Sequence, residues 1–516
     1  MKILLINPPA EKTIIGNNPE IIDEERGCNP PLGVLFLAAC LEESGRHDVE
    51  VLDCQAESLG YDGLAREIET RNPELVGLTA MTLTLVDVVK TAELVKKVLP
   101  HTPVVAGGPH AAIYPTETAR LESVDYVIQG EAERSIVHLA DILDSQKEPE
   151  EKRTKRAEAK KNKEVRKDGD AEKTTAPVGF SKEKTEAEEV SWDALSAVPG
   201  LHVWRNGECL KGAEWAFIEN LDEIPFPARH LTDVKAYDSL LAQQGPVTTM
   251  FSSRGCPFRC TFCHRPAMGK TFRAMSANRV VDEMEVCRDL GIKEILIYDD
   301  TFTVGRDRVV EICREILRRE LSVVWDVRAH INTVDPELLK LMRRAGCARI
   351  HYGIEAGTDR VMKVLKKGIT LKKAKQVVRD TRRAGISTLA YFMIGNPTET
   401  LDEAKQTIRF ARSLGADYVH ITILTPFPGT PLYEDGLRDG IFAKDHWREF
   451  AENPREDFVP PFWEEHMTTA ELQGLVRRAY RSFYLRPIYI LNRLRELRSL
   501  GELKRKARAA WKVMKM

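Results

Sequence analysis

No apolar run in this 516-residue chain approaches the roughly 20 residues that a membrane-spanning helix needs. Aromatic residues make up only 7%. Neither charge sign dominates: 76 basic residues stand against 78 acidic ones, a net charge of −2. That balance leaves no global basic footprint, so no nucleic-acid partner is expected. The segment Met1 to Pro9 has a short apolar stretch but no cleavage-site pattern after it, and it reads as a strand ending at a Pro-Pro loop. A cytoplasmic protein is the expectation. What the chain does have is a globular composition, 43% apolar and 30% charged, long enough for two or three domains with separate cores.

Strand and helix patterns alternate twice along the chain. In the first stretch, apolar strands at Ile3 to Ile6, Val49 to Leu52, Leu75 to Thr79, Val104-Val105 and Tyr126 to Ile128 are separated by helical patterns at Leu32 to Ser44, Tyr61 to Thr70 and Leu85 to Leu99. Such spacing makes βαβ units, hence a doubly wound parallel sheet over 1–145 whose ligands sit beyond the strand C-termini. Large apolar residues then almost vanish: 146–190 is mostly Lys, Glu, Arg, Asp, Ala and Thr. It cannot bury a core and reads as a charged insertion without chemistry of its own. A connector follows over 191–245, with a hairpin expected around Asn206-Gly207. From 246 to 435 six further strand–helix repeats suit a partial or complete (β/α) barrel, with loops for chemistry at the strand C-termini. Residues 436–516 form a helical C-terminal region. The fold class expected is therefore α/β throughout, ending in a helical tail.

Of the ten cysteines, seven are scattered and read as small hydrophobes. Cys256, Cys260 and Cys263 are bunched in Arg254-Gly255-Cys256-Pro257-Phe258-Arg259-Cys260-Thr261-Phe262-Cys263, directly after the first barrel strand. Three thiolates on one loop suit three corners of a [4Fe-4S] cluster, leaving one iron without a protein ligand. A structural zinc would want a fourth ligand, and His264, adjacent to Cys263, has poor geometry for the same tetrahedral ion.

This C-x3-C-x2-C segment, with Phe262 at its aromatic position, resembles the radical S-adenosylmethionine (radical SAM) superfamily. The resemblance implies that the open iron chelates S-adenosylmethionine and that the reduced cluster cleaves its sulfonium to a 5′-deoxyadenosyl radical, with an electron donor such as ferredoxin or flavodoxin. Further segments agree in order. Tyr298-Asp299-Asp300-Thr301-Phe302 stands where family members hold the methionine amine, which points to Asp299 and Asp300; the alternative is that these carboxylates cap the following turn. Gly353-Ile354-Glu355-Ala356-Gly357 is similar to the family's Gly-Ile-Glu-Ser-Gly, with Glu355 facing the cofactor. Phe392 to Thr400, with Met393 and Gly395, resembles the loop flanking adenine. Thr425 to Tyr433 carries the Pro-Gly-Thr-Pro signature of the cobalamin-type subfamily, which includes hopanoid methylases and an anaerobic porphyrin-ring cyclase.

By the same resemblance the first domain is of the cobalamin-binding type. Asn7, Asp53, Thr79, Gly107, Gly108 and Gly130 fall at its strand ends. The Asp-x-His-x-x-Gly signature is broken, because Gln55 replaces the histidine and Ser58 the glycine. A histidine–cobalt bond is therefore not expected, although the nucleotide tail of cobalamin could still insert beside Gly107-Gly108. His110 reads as a surface-loop histidine, and a scaffold without its cofactor is the alternative reading of the domain. The resemblance implies a methyltransferase acting on an unactivated carbon of a small molecule, with another radical outcome such as oxidative cyclisation, or a cobalamin-free radical reaction, as alternatives. Residues 470–516 carry thirteen Lys/Arg against three Asp/Glu, with Tyr489, Leu491, Leu494, Leu497 and Leu500 interleaved. One reading is a peripheral membrane contact serving a lipophilic substrate. The other is a helix packed on the barrel with a solvated basic face.

Overall fold

The structure is a computed structural model and describes residues 1–14, 27–146, 190–239, 242, 245–264, 269–495 and 511. Most of the charged stretch and the end of the basic tail lie outside the described residues.

Strands β1 (Lys2–Asn7), β2 (Asp48–Asp53), β3 (Leu75–Thr79), β4 (Val104–Gly107) and β5 (Tyr126–Ile128) pair in parallel in the order β2-β1-β3-β4-β5. Period-two alternation decides which side each residue serves. Ile3 and Leu5 face the helices α1 (Leu32–Glu43) and α4 (Glu133–Ser145), whereas Leu4 and Ile6 face α2 (Tyr61–Arg71) and α3 (Leu85–Val98). Helices on both faces make the sheet doubly wound, and the order reverses between β1 and β3, where a ligand crevice opens in such folds. The hairpin expected in the connector exists. Its strands β6 (Leu201–Arg205) and β7 (Glu208–Lys211) turn at Asn206-Gly207, both at positive φ, and extend the first sheet antiparallel from β5.

The second sheet has six parallel strands in the order β15-β14-β13-β12-β11-β8, so the barrel is partial. They are β8 (Val247–Met250), β11 (Glu294–Ile297), β12 (Val324–Ala329), β13 (Cys347–Glu355), β14 (Ser387–Ile394) and β15 (Tyr418–Ile423). A two-strand ladder, β9 (Ser253–Arg254) with β10 (Arg273–Ala274), brackets the cysteine loop. Helices α5 (Ala277–Asp289), α6 (Arg306–Arg318), α7 (Pro336–Arg344), α8 (Leu371–Arg383) and α9 (Leu401–Ser413) cover the outer face. Their starts are chemically marked. Ser276, Asp335 and Thr370 accept backbone N–H bonds, and Thr400 with Glu403 forms a capping box.

An open barrel leaves β15 as an edge with unpaired backbone groups. Helix α10 (Thr469–Tyr484) covers it: the Tyr480 hydroxyl accepts from Ile421 N at 3.2 Å, and that of Tyr484 accepts from Val419 N and donates to Val419 O at 2.7 Å. Leu472, Val476, Ala479 and Phe483 of α10 join the barrel core. The first part of the basic tail is thus a packed helix. Its continuation, α11 (Pro487–Arg495), exposes Ile488, Ile490 and Leu491. No helix among the described residues is long and apolar enough to cross a membrane.

Candidate active site

The cysteine loop leaves the C-terminal end of β8 and is pinned along its length. Cys256 N donates to Gly269 O, Thr261 N to Leu365 O, and Leu432 N, inside the Pro-Gly-Thr-Pro segment, to Thr261 O at 2.9 Å. Asp299 does most of the pinning. It is wholly buried, and its two oxygens accept from Ser252 N, Ser253 N and both serine hydroxyls at 2.6–3.0 Å. A carboxylate offers about four lone-pair positions, so none is left for a ligand. The expectation that Asp299 contacts the methionine amine is corrected accordingly. This residue holds the loop in place, whereas the neighbouring Asp300 is exposed, with burial and Asp299 raising its pKa against the pull of Arg328.

The three thiols share one environment. Burial, then Glu355 and Cys256, raise Cys260, against the pull of Lys367. Cys263 keeps accessible surface, yet the protein around it, with Asp300, Cys260 and Cys256, pushes it up to about 12. Cys260 and Cys263 as free thiols are held protonated at neutral pH, and a metal that binds them must displace those protons. No three His, Cys, Asp or Glu among the described residues stand ready-gathered around a metal position. The donor set nevertheless fits an iron–sulfur cluster, being three soft ligands on one anchored loop with Lys367 nearby to offset thiolate charge.

Lys367 was not legible in the sequence. Its ammonium pairs with Glu355 Oε1 at 3.0 Å and lies 5.8 Å from the centre of the Phe262 ring. Burial opposes its charge, but Glu355 and the thiols hold its pKa above the ordinary value. Glu355 sits at φ +74°, a strained position for a non-glycine residue. Gly353 makes room for the pair, since a Cβ there would meet Glu355 Oε1 at 2.2 Å and Lys367 Nζ at 2.8 Å. Phe258 stacks on His330 with ring centres 3.8 Å apart, a second contact that sequence spacing did not reveal. Met393 and Phe262 are both partly buried and pack against the same apolar clusters, whereas Gly395 is buried. Its N–H donates to Glu399 and a Cβ on it would touch Leu472 of α10, so it packs the loop rather than flanking a ligand.

At the mouth of the first sheet, Asn7 Nδ2 donates to Asp53 Oδ1 at 2.7 Å, and the Tyr237 hydroxyl donates to Asp53 Oδ2 at 3.0 Å. Gln55 N also donates to Asp53, while the Gln55 side chain donates to Pro8 O at 3.1 Å. Asp53 is therefore a loop organiser, and Gln55 ties the loop where the signature histidine would stand. Gly130 also differs from expectation: the Trp215 indole lies directly over it, 2.4 Å from a notional Cβ. Around β3 and β4 the site is open. A Cβ on Gly107 would meet only Ile128 O, at 3.6 Å, and Gly108, at φ +101°, lies against Thr79 and Ala80. His110 is not a surface residue. It is fully buried, its Nδ1 lies 3.1 Å from Thr82 Oγ1, and its Nε2 has no partner. Burial pushes it down to about 4, so it is neutral. A glycine loop with free space and an orphaned imidazole nitrogen fit a group that inserts beside β4. They supply no exposed imidazole for cobalt.

The two mouths are joined by ion pairs. Glu131 and Glu133, just after β5, meet Arg254 at 3.2 and 2.5 Å, and Glu131 meets Arg273 at 2.8 Å. Arg254 and Arg273 face one another across the β9–β10 ladder that brackets the cysteines. The glycine-rich loop of the first domain is thereby fastened to the frame of the cysteine loop.

Residues 250–411 match the Radical SAM superfamily, and residues 21–140 match the B12 binding domain. An uncharacterized methyltransferase of Pyrococcus horikoshii is 31% identical over 493 residues, 94% of this chain and 93% of that protein. The anaerobic magnesium-protoporphyrin IX monomethyl ester cyclase of Rubrivivax gelatinosus is 25% identical, over 89% of this chain and 75% of its own length. Among solved structures, the cobalamin-dependent S-adenosylmethionine radical enzyme OxsB, with aqua-cobalamin and S-adenosylmethionine bound, superposes with a TM-score of 0.67 at 15% identity, covering 99% of this chain and 72% of that one. The fold, the three cysteines on their anchored loop and these matches agree, and the chain belongs to the radical SAM superfamily, in the branch that carries a B12-binding domain ahead of the barrel.

Proposed function

We propose that this radical SAM enzyme transfers a methyl group from S-adenosylmethionine to an unactivated carbon of a small molecule held inside the barrel. The observation that carries the reading is the clamp of Glu131 and Glu133 on Arg254 and Arg273, which sets the strand ends of the B12-binding domain against the cysteine loop. When bound, the cluster and cobalamin supply an electron for opening the sulfonium and a carrier for the methyl group. In this reading Cys256, Cys260 and Cys263 hold the cluster. Asp300 and the Glu355–Lys367 pair face the methionine moiety of the cosubstrate, with Phe262 and Met393 beside them. Asn7, Thr79, Gly107 and Gly108 line the cobalamin side. Asp299, Asp53 and the capped β15 edge keep these groups in register.

A donor of the ferredoxin or flavodoxin class is the electron source that the solvent-reaching Cys263 supports. Exposed Ile488, Ile490 and Leu491 support a peripheral membrane contact through the tail. The cyclase relative supports oxidative cyclisation as the second reading.

The experiment is anaerobic turnover of protein reconstituted with iron, sulfide and hydroxocobalamin, using methyl-labelled S-adenosylmethionine and a chemical reductant. The expected products are S-adenosylhomocysteine and 5′-deoxyadenosine. Cobalamin uptake with 5′-deoxyadenosine but no S-adenosylhomocysteine would replace methyl transfer by the cyclase-like reading. If 5′-deoxyadenosine forms without any cobalamin uptake, the reaction is cobalamin-free.

A further inference from the structure

The inner face of the barrel sheet is chemically unlike its outer face. On β12, Trp325, Val327 and Ala329 point to the helices, and Asp326 and Arg328 point the other way. On β13, Ile350, Tyr352 and Ile354 are core residues, which turns Arg349 and His351 inward. On β14 the same alternation turns Tyr391 inward. The outward rows are fully buried, whereas Tyr298, Arg328, His351, Tyr391 and His420 each keep accessible surface. Partly buried polar side chains on the inner face of the six strands line the barrel interior, a chamber on the side away from the helices.

Two features of that chamber are arranged for a ligand. First, the carboxylate charge within it is already taken. Asp326 lies 3.3 Å from Arg349 and 3.4 Å from His351, and Arg349 also lies 4.0 Å from Glu294. The Arg328 guanidinium carbon lies over the Tyr298 ring, 4.0 Å from its centre, and no carboxylate among the described residues stands within ion-pair distance of it. A guanidinium held against an aromatic ring and bonded to the Tyr298 hydroxyl is pre-oriented, and its remaining N–H groups can meet an oxyanion. Second, the His351 ring lies between Asp326 and the Tyr391 hydroxyl, with Nδ1 2.9 Å from Tyr391 Oη. Burial holds His351 below its ordinary pKa and pushes Tyr391 up to about 12, so both are neutral. With Asp326 ionised beside Nε2, the proton belongs on Nε2, and Nδ1 accepts from the tyrosine. The Tyr391 oxygen is then left with its lone pairs toward the chamber, an acceptor for a donor on the ligand.

We propose that the chamber is the substrate subsite, and that the substrate is a small polar anion whose carboxylate or phosphoryl group pairs with Arg328 while a neighbouring O–H or N–H donates to Tyr391. The inference rests on the radical SAM reading and deepens it by naming a substrate class. It also replaces a lipophilic ligand by a charged one, because a long apolar group would desolvate the Arg328 guanidinium, which has no ion-pair partner among the described residues. His351 and Asp326 are positioning residues. They turn the tyrosine so that its oxygen accepts.

The test uses the full chain with its cluster reconstituted, and ligand-observed NMR titration with glutarate, 2-hydroxyglutarate, phosphonoacetate and neutral glutaramide. Both dicarboxylates or the phosphonate should bind, glutaramide should not, and the preferred anion tells carboxylate from phosphoryl recognition. Arg328→Gln should weaken every anion at least tenfold, Arg328→Lys should restore part of the loss, and Arg318→Gln on the outer surface should change nothing. In the wild type 2-hydroxyglutarate should bind more tightly than glutarate. Tyr391→Phe and His351→Leu should each erase that preference without weakening glutarate, a pattern that a merely structural role would not produce. Equal binding of glutaramide, anion binding that survives Arg328→Gln, or no binding of any anion overturns the proposal. Product analysis of wild-type turnover is independent of this. Missing S-adenosylhomocysteine with intact anion binding would count against methyl transfer alone, and the reverse pattern against the subsite alone.

Discussion

Two sheets in this molecule present the C-terminal ends of parallel strands, and they treat the polar groups there in opposite ways. At the first sheet the protein satisfies itself: Asp53 is occupied by Asn7, Tyr237 and Gln55, Gly130 lies under Trp215, and Gln55 ties down the loop. Among the described residues at this mouth, the space over Gly107 and the His110 Nε2 remain uncommitted. At the barrel one carboxylate, Asp299, is consumed in holding the loop, while Asp300, Cys263 and Arg328 stay accessible. The difference separates a surface that receives a large preformed cofactor by shape from one that grips ligands by charge and by metal bonding. A wide cofactor needs a flat floor and a slot. A cosubstrate and a small substrate need directed donors and acceptors.

The largest way to break the comparison is to strip the barrel mouth of its thiols. The triple variant Cys256→Ala, Cys260→Ala, Cys263→Ala should fall from about four irons per chain to almost none after anaerobic reconstitution, as read by iron and sulfide analysis. Hydroxocobalamin uptake should persist, because no group at the first sheet depends on those thiols. If the triple variant keeps its iron, the assignment of the cluster site is wrong.

The next effect concerns the joint between the two mouths. Arg254 is buried against two carboxylates, so Arg254→Met leaves Glu133 without its cation and Glu131 with Arg273 alone. Breaking a buried pair on one side costs about 3–5 kcal/mol, most of it the stranded charge. Equilibrium urea denaturation should show a loss near the lower end of that range, because Arg273 remains. Replacing Glu133 by Gln in the same background should recover part of it. A loss below about 1 kcal/mol would mean that the joint carries little of the domain docking.

Much of this contrast could be read from the sequence. The barrel strands were legible because Val, Ile and Leu runs recur between helical patterns, and the cysteine loop because its ligands are local. The joint was not, because Glu133 and Arg254 are 121 positions apart and each looks like an ordinary surface charge. Lys367 was missed for the same reason. The chamber did leave a signal, since Trp325-Asp326-Val327-Arg328 alternates charged and apolar residues within one strand, and a charged row facing inward is unusual for a barrel strand. Two adjacent carboxylates, Asp299 and Asp300, could not be told apart without knowing which one Ser252 and Ser253 face. His110 looked like a loop residue, and only packing reveals that it is buried.

A pH effect sharpens the comparison within the barrel. Glu399 is buried and accepts from Gly395 N, Asn396 N and the Asn396 side chain, yet burial outweighs these bonds and raises it to about 7. A carboxyl whose folded pKa exceeds its unfolded value binds its proton more tightly when folded. Its stabilising contribution is therefore full below about pH 4.5 and is lost as pH rises toward 7, by up to about 3 kcal/mol. Glu399→Gln should flatten the fall in denaturation free energy between pH 5 and 7 without moving iron content. An unchanged slope in the variant would assign the pH dependence to other groups.

The smallest expected effect is at Gln55, and its smallness is the point. Gln55 is exposed, and its side chain makes one good bond, to Pro8 O, at the place where a histidine would complete the broken signature. If that side chain only ties the loop, Gln55→Ala should cost no more than about 1 kcal/mol, the net worth of one ordinary hydrogen bond. Bound hydroxocobalamin should then show the same visible spectrum in both proteins, with no histidine–cobalt bond in either. His110 offers no substitute, because it is buried beside Thr82. A spectrum that shifts in Gln55→Ala would place the glutamine close to cobalt, and the floor of the first sheet would then grip its cofactor with a directed group much as the barrel grips its ligands.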